Sequence, residues 1–360
     1  MKILAINPGS TSTKVAVYED TKEILTVNIK HDVEELAGFT CVFDQYDFRK
    51  NIVLKKLEEE GIDVASLDVI AGRGGLHKPI LGGVYEINPL MIDDIKHPKI
   101  GEHVCNLGAP IAYEIAKEAS KLSGKDVKAY TVDTSVVDEM EPVAKFSGMP
   151  EIERRSIFHA LNQKAVARRY ARERGKKYED LNYIVAHMGG GISIGAHKGG
   201  RVIDVNNALN GEGPFTPERS GGVPVGQLVN MCFSGEYTKA EVMKKIKGNG
   251  GLVAYLGTNS AYEVEQRVKS GDKEWELVYR AMAYQVAKGI GALAAALDGK
   301  VDVIILTGGI AYDKMFVGWI KEKVSFIADV EVFPGEDEMK ALAEGCYYGI
   351  KGEIPVHVYE

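Results

Sequence analysis

Two arginines and two glycine turns hold most of the chemistry in this sequence. Arg73 stands in Gly72-Arg73-Gly74-Gly75 and Arg219 in Glu218-Arg219-Ser220-Gly221-Gly222, both on glycine-flanked loops. A guanidinium is a rigid planar fork that suits carboxylate and phosphoryl oxygens. An arginine taken at random more often forms a surface ion pair; the glycine settings reverse that order here. The turns Asn7-Pro8-Gly9-Ser10-Thr11-Ser12 and His187-Met188-Gly189-Gly190-Gly191-Ile192-Ser193 offer backbone N–H groups and hydroxyls, which suit phosphate oxygens. Glycine is expected there because it reaches backbone conformations closed to residues with a Cβ. A third glycine turn, Thr307-Gly308-Gly309-Ile310, follows later. Asp133 ends the apolar run 127–132, where a catalytic carboxylate and a simple cap both fit.

These residues need a frame, and the sequence repeats one. Residues 3–20 form an apolar strand, a Gly/Ser turn and a second alternating strand, and residues 183–198 do so again. A third strand is expected at 26–29 after the first copy and at 201–205 after the second. Helical spacing predicts helices over 47–61, 109–122, 156–174, 238–247, 261–268, 274–297 and 337–349. Core strands are expected at 68–72, 127–132, 301–306 and 330–334. Strands alternate with helices, so the class is α/β. Two duplicated hairpins and a late glycine turn suggest two related lobes closing on a nucleotide, with a boundary near 134–155. The expected division is 1–150, completed by the C-terminal helix 335–360, against 151–334. The apolar helix within 281–297 fits either a core or an interface.

Composition narrows the partners. With 45% hydrophobic and 26% charged residues and a net charge of −7, the chain has an ordinary globular profile without a basic tract. A nucleic-acid backbone is therefore not the expected partner. Cys41, Cys105, Cys232 and Cys346 form no CxxC pair, so neither a zinc site nor a disulfide framework is expected. The N-terminus enters a strand within two residues, and no apolar stretch is long enough to span a bilayer, so a cytoplasmic chain with no membrane partner is expected. No GxxxxGK[ST] and no strand–GxGxxG–helix unit occurs. The glycines sit in strand–turn–strand hairpins, where phosphate meets turn amides rather than a helix dipole.

The motifs together are more specific than any one. Asn7-Pro8-Gly9-Ser10-Thr11-Ser12-Thr13-Lys14 resembles the opening signature of the acetokinase family. His187-Met188-Gly189-Gly190-Gly191 resembles its HLGNG turn, Phe215-Thr216-Pro217 and Arg219-Ser220-Gly221 its FTP and TRSG segments, and Val132-Asp133-Thr134 its FDT. Phe158-His159 resembles the start of its FHGTSH segment, and Thr307-Gly308-Gly309-Ile310 its adenosine-site turn. The wording of residues 211–222 is most similar to the branch of that family acting on butyrate. The resemblance implies a two-lobed, actin-like (ribonuclease H-like) ATPase fold with a duplicated sheet core. It implies ATP/ADP and Mg²⁺ as cofactors, a short-chain carboxylate and its acyl phosphate as substrates, and a homodimer or higher homo-oligomer.

The resemblance also assigns roles. A carboxylate is already a nucleophile at neutral pH, so its phosphorylation needs charge neutralisation and in-line alignment, not a general base. Arg73 and Arg219 match the family's catalytic arginines, Asp133 its catalytic aspartate, and His159 a histidine that donates to the transferring phosphoryl. Asn7 with Glu338, or alternatively Asp337, would help organise Mg²⁺ through water; a helix N-terminal charge is the plain alternative for both acids. Ser10, Ser12 and Lys14 would face the phosphates, although alternation also fits Lys14 to a solvent face. His187 would reach the phosphates or serve the strand end structurally. Gly189, Gly190 and Gly191 would cradle phosphate, and Gly308, Gly309 and Ile310 would pack near adenosine. Gly75, Phe158 and Pro217 would line the acid's pocket, with Gly75 replacing a bulkier valine of acetate kinases and leaving room for a longer or branched acyl tail. The second histidine of FHGTSH is Gln163 here, and no role carries over to it. Acetate, propionate, isobutyrate and isovalerate are the rival acids, a sugar kinase the rival enzyme, and an actin-like module acting by partner binding the rival class.

Overall fold

A computed structural model describes residues 1–98 and 103–360, and the chain divides into two compact units. The first comprises Met1–Val137 with Asp337–Glu360, the second Asp138–Glu336. Residues 138–150, grouped with the first lobe on sequence, therefore belong to the second unit. The reason is local bonding: Glu141 N–H donates to Ile203 O at 2.9 Å, and the Glu139 carboxylate receives Lys164 Nζ at 2.7 and 2.8 Å and Val202 N–H at 2.8 Å.

In chain order the strands are β1 (Lys2–Gly9), β2 (Ser12–Glu19), β3 (Lys22–Lys30), β4 (Val69–Gly72), β5 (Val84–Glu86), β6 (Lys128–Val132), β7 (Tyr183–Met188), β8 (Ile192–Lys198), β9 (Arg201–Val205), β10 (Val303–Gly308), β11 (Val330–Pro334) and β12 (Val356–His357). The first unit's sheet runs β12-β5-β6-β4-β1-β2-β3 and the second's β11-β10-β7-β8-β9. In both, an antiparallel three-stranded meander is extended by two strands parallel to its first member. The hairpin repeat is thus a repeat of whole sheets, the actin-like (ribonuclease H-like) topology. It aligns the carboxyl ends of β1, β4 and β6 in one unit and of β7, β10 and β11 in the other. Open α/β sheets bind ligands at such ends.

Each sheet owns an apolar core. Ile6, Ile70, Ile111, Ile115 and Leu57 are among the first unit's buried residues, and Ile184, Ile194, Ile304, Phe316 and Tyr279 among the second's. Helix Lys273–Ala296 turns Tyr279, Met282, Ala283, Val286 and Ile290 into the second core, while Leu277 and Tyr284 remain exposed. Among the described residues, no helix is long and apolar enough to cross a membrane.

The helix expected over 156–174 is shorter, Ala160–Glu173. Two bonds hold the preceding residues out of it: Ile157 O accepts Ala208 N–H at 2.9 Å, and His159 N–H reaches Ser193 Oγ at 3.3 Å. Strand β5 and the helices Pro89–Lys96 and Lys314–Val324 carry no expectation from the sequence. Strand β5 has only three residues, too few to alternate.

Candidate active site

At the carboxyl ends of β1 and β4 the first unit gathers an ion-paired cluster. Arg73 follows β4, which ends at Gly72, and its Nη1 donates to Asn7 Oδ1 at 3.2 Å and to Glu338 Oε2 at 2.8 Å. Asn7 Nδ2 donates to the same Glu338 oxygen. Glu338 opens the helix Glu338–Ile350, whose N-terminal end favours a negative charge. Asp337 is the residue before that helix and makes no capping bond. The structure therefore joins three sequence-predicted residues and leaves Asp337 beside them.

Asp133 follows β6, the neighbour of β4. Its backbone is left-handed, φ +38°, which asparagine and aspartate tolerate better than other non-glycine residues. Its buried Oδ1 accepts Gly83 N–H at 2.8 Å, and its own N–H donates to Gly83 O at 2.9 Å. The Arg73 and Asp133 loops touch, because Gly74 lies directly against Thr134 with no room for a Cβ.

Gly75 corrects an expectation. A Cβ there would stand 2.8 Å from Asn106 Cα and 2.9 Å from its Oδ1. Asn106 is buried, and its Oδ1 accepts Leu76 N–H at 2.9 Å. The missing side chain makes room for Asn106, so Gly75 opens no space for a longer acyl tail.

The first glycine turn has a support that sequence reading missed. Arg49, on helix Tyr46–Glu59, is fully buried, and its Nη1 donates to Gly9 O and Ser12 O, both at 2.9 Å, and to Thr13 Oγ1 at 3.0 Å. Its Nη2 reaches Ser10 O at 3.2 Å, and Gln45 Oε1 accepts Nε–H at 3.0 Å. Gripping the turn's carbonyls from one side leaves Ser10 and Ser12 partly or fully exposed on the rim. Burial lowers the Arg49 pKa to about 10, so the group stays charged. The available signal is spacing: Arg49 shares one helical face with the buried Val53 and Leu57. Lys14 lies opposite Asn7 in the hairpin register, on the same sheet face, and is exposed.

In the second unit the histidines and the second turn meet. His159 and His187 stack with centroids 3.8 Å apart and planes 9° apart. His187 Nδ1 lies 2.9 Å from Asn162 Oδ1, so that nitrogen carries a proton, and Nε2 is 2.9 Å from Glu336 Oε1 but poorly aligned for a hydrogen bond. Glu336, next to the two acids singled out by sequence, thus belongs to the other unit's turn. His159 Nδ1 lies 3.0 Å from Ser193 Oγ.

The glycines of this turn are not in left-handed conformations, contrary to expectation. They are needed for space. A Cβ at Gly191 would collide with Arg219 Nη1, and one at Gly189 would come within 2.9 Å of Glu336 Oε1. Thr216 binds the turn to the arginine loop: its hydroxyl donates to Gly190 O at 2.7 Å and accepts Arg219 N–H at 3.1 Å. Arg219 Nη1 donates to Ala208 O. Burial lowers the Arg219 pKa, with Glu218 opposing the shift. Phe158 and Pro217 are both buried beside these segments.

Gly308 does require glycine. Its φ is +89°, a Cβ would strike Met188 O, and its N–H and C=O pair with Gly335 at 3.2 and 3.0 Å. Gly309 and Ile310 open a short helical turn, Gly309–Tyr312, that ends on an exposed tyrosine the sequence did not single out.

Comparison with known proteins shows the family and the fold. The acetokinase family profile matches residues 2–324. Butyrate kinase 2 of Clostridium acetobutylicum is 55% identical over 359 residues, 100% of this chain and 99% of the relative. Among solved structures, the acetate kinase of Porphyromonas gingivalis superposes with a TM-score of 0.76 at 20% identity, covering 96% of this chain and 98% of that one. A propionate kinase from Francisella tularensis gives 0.75 at 18% identity with the same coverage. Duplicated sheets, ordered motifs and full-length kinship have one reading: the chain belongs to the acetokinase family.

Proposed function

We propose that this chain transfers the γ-phosphoryl group of ATP to butyrate, forming butanoyl phosphate and ADP, and that it runs the reaction in both directions. The observation that carries the proposal is the end-to-end kinship with a butyrate kinase, with every singled-out motif falling in order along the chain. A carboxylate oxygen attacks the γ-phosphorus, one P–O bond forms, the P–O bond to ADP breaks, and no proton is transferred. Such chemistry calls for positive charge and hydrogen-bond donors rather than a base.

Both units carry groups of that kind. In the first, Arg73 holds anionic oxygens, with Asn7 and Glu338 fixing its fork and Asp133 bracing the adjacent loop. The serines of the Arg49-held turn offer hydroxyls to phosphate. In the second, Arg219 and His159 act on the transferring phosphoryl, and the side-chain-free turn Gly189 to Gly191, whose Gly191 makes room for the Arg219 guanidinium, offers backbone N–H groups to phosphate. Gly308, Gly309 and Ile310 flank the adenosine side.

The residues also fit a magnesium ion held largely through water. Among the described residues no group of three or more His, Cys, Asp or Glu side chains forms a ready cage. Glu338, whose Oε2 already pairs with Arg73, and Asn7 would meet a hydrated ion through water, and Mg²⁺ when bound would neutralise phosphate charge.

The test is an acyl-hydroxamate assay with ATP across linear and branched C2 to C6 acids, run on wild type and on Arg73→Ala and Arg219→Ala. A kcat/KM highest for butyrate and a large loss in both variants is the expected result. A preference for acetate, or near-normal turnover without either arginine, would falsify the assignment.

A further inference from the structure

A buried chain of hydrogen bonds runs away from His159, and one atom in it fixes the direction of every link. Gln163, which replaces the motif's second histidine, sits one helical turn after His159 on helix Ala160–Glu173. Its Nε2 lies 3.0 Å from the carbonyl oxygen of Ser193 and 2.8 Å from Ser193 Oγ. A carbonyl only accepts, so this end of the amide must be the NH₂ group. The other end, Oε1, therefore accepts from His197 Nε2 at 3.0 Å. His197 is fully buried, and burial together with the nearby Lys164 and Arg168 charges pushes its pKa well below the usual range, so it is neutral. With its proton on Nε2, its Nδ1 is bare and accepts the Tyr178 hydroxyl at 2.7 Å.

Towards the site the same logic continues. The Ser193 hydroxyl accepts from Gln163 Nε2 and, at 3.3 Å, from the His159 backbone N–H, which fills both its lone pairs and leaves its own proton for His159 Nδ1 at 3.0 Å. Nδ1 is then an acceptor, and the His159 proton sits on Nε2.

We propose that Tyr178, His197, Gln163 and Ser193 form a one-directional relay that holds His159 in its Nε2–H tautomer, so that it meets the transferring phosphoryl as a donor. This rests on the reading of His159 as the phosphoryl contact. Gln163, Ser193 and His197 are positioning residues, because they act through His159.

The fold makes room for the relay. Ser193, Gly195 and His197 alternate along β8 and share one face. A Cβ at Gly195 would stand 2.5 Å from Gln163 Oε1 and 3.2 Å from His197 Nε2. Glycine there keeps the middle link open. The charges packed around it are paired or stacked: Lys164 with Glu139, and Arg168 over the Tyr178 ring at 5.6 Å.

The experiment reads the tautomer and the turnover separately. In full-length protein labelled with ¹⁵N-histidine, long-range ¹H–¹⁵N spectra report which ring nitrogen of His159 is bare, with His159→Gln giving the assignment. Wild type should have a bare Nδ1. Ser193→Ala and Gly195→Ala should populate the other tautomer, and Gln163→Glu should do so most fully, because its carboxylate takes the serine proton. In the hydroxamate assay kcat should fall by about 10-fold for Ser193→Ala and up to about 100-fold for Gln163→Glu, below or at the lower end of the roughly 100–1,000-fold seen when one preorganised donor is removed outright, because the donor here is misdirected and not deleted. KM for acid and nucleotide should stay near wild type. In a His159→Gln background, Gln163→Glu should add nothing. A wild-type His159 protonated on Nδ1, or equal kcat losses in both backgrounds, would overturn the relay. Shifted tautomers in an enzyme that phosphorylates no acid would leave the relay standing and remove the proposed function instead.

Discussion

Arg49→Met isolates the support of the first glycine turn. Methionine keeps the length and apolar volume of the side chain but withdraws every donor from Gly9 O, Ser10 O, Ser12 O and Thr13 Oγ1. Three carbonyls lose a charge-assisted partner. At about 1 kcal/mol net for each, after the gain from burying an uncharged chain, the loss is about 3 kcal/mol. For a domain of roughly 150–250 residues that lowers Tm by about 6–12 °C. Function should fall further than stability, because a loosened turn no longer aims its hydroxyls, and a misplacement near 1 Å can cost about 100-fold in rate. Calorimetry gives the first number and ATP-dependent hydroxamate formation at saturating acid the second. A third readout is specific to the charge: His31, linked through Thr13 Oγ1 at 2.8 Å, has its pKa lowered by burial first and by Arg49 second. Its NMR titration midpoint should therefore rise in Arg49→Met. A variant with unchanged Tm, unchanged kcat and an unmoved His31 would refute the idea that the guanidinium holds the turn.

Three further outcomes follow from the same geometry. Glu338→Gln removes the carboxylate 2.8 Å from Arg73, and kcat/KM for the acid should drop by about 30–150-fold, equivalent to about 2–3 kcal/mol, with little change in Tm. Gly191→Ala should fold normally, since the backbone there suits any residue, yet lose most activity because the methyl displaces the Arg219 guanidinium; parallel melting and hydroxamate measurements separate the two effects. Stability should weaken in acid: burial lowers the His77 pKa from 6.5 to about 4, so the unfolded chain binds its proton first, and about 3 kcal/mol present above pH 6.5 is lost as pH falls to about 4. Denaturant titrations should place that loss between pH 6.5 and 4 in wild type and find it reduced in His77→Phe.

The sheets were legible because their signal is local. Alternation and glycine turns mark β1, β2, β7 and β8, and the topology then follows from pairing each hairpin with the next buried strand. Arg73 could be selected by residue type and setting, and Asn7 and Glu338 through the family resemblance, but their junction spans most of the chain and becomes visible only in the structure. Gly75 and Gly191 mark the limit more sharply. In sequence Gly75 reads as room for an acyl tail and Gly191 as backbone freedom, yet the two are required by Asn106 and Arg219, residues remote in sequence. The short helix start at Ala160 has the same cause, since a serine on another strand takes the His159 amide. Local pattern records which conformations a segment can adopt, and crossings between segments decide which it does.

The two glycine turns occupy equivalent places in the duplicated sheets and are supported differently. Arg49 binds the first through its carbonyls, from within its own unit's core, and leaves serine hydroxyls on the rim. The second is closed by its own Gly189 N–H to Gly191 O bond, is gripped by the Thr216 hydroxyl on Gly190 O, and has no side chain of its own across three residues. A turn rimmed with hydroxyls can reorient its donors around a moving group. One stripped to backbone excludes everything except a close-fitting chain. On the function proposed above, the bare turn would meet the nucleotide phosphates that stay and the hydroxyl-bearing turn the group that is transferred. Exchanging the two supports, by Arg49→Met in one unit and Thr216→Val in the other, should therefore damage different parameters. Arg49→Met should lower kcat more than nucleotide affinity. Thr216→Val, which frees the second turn, should raise KM for ATP more than it lowers kcat.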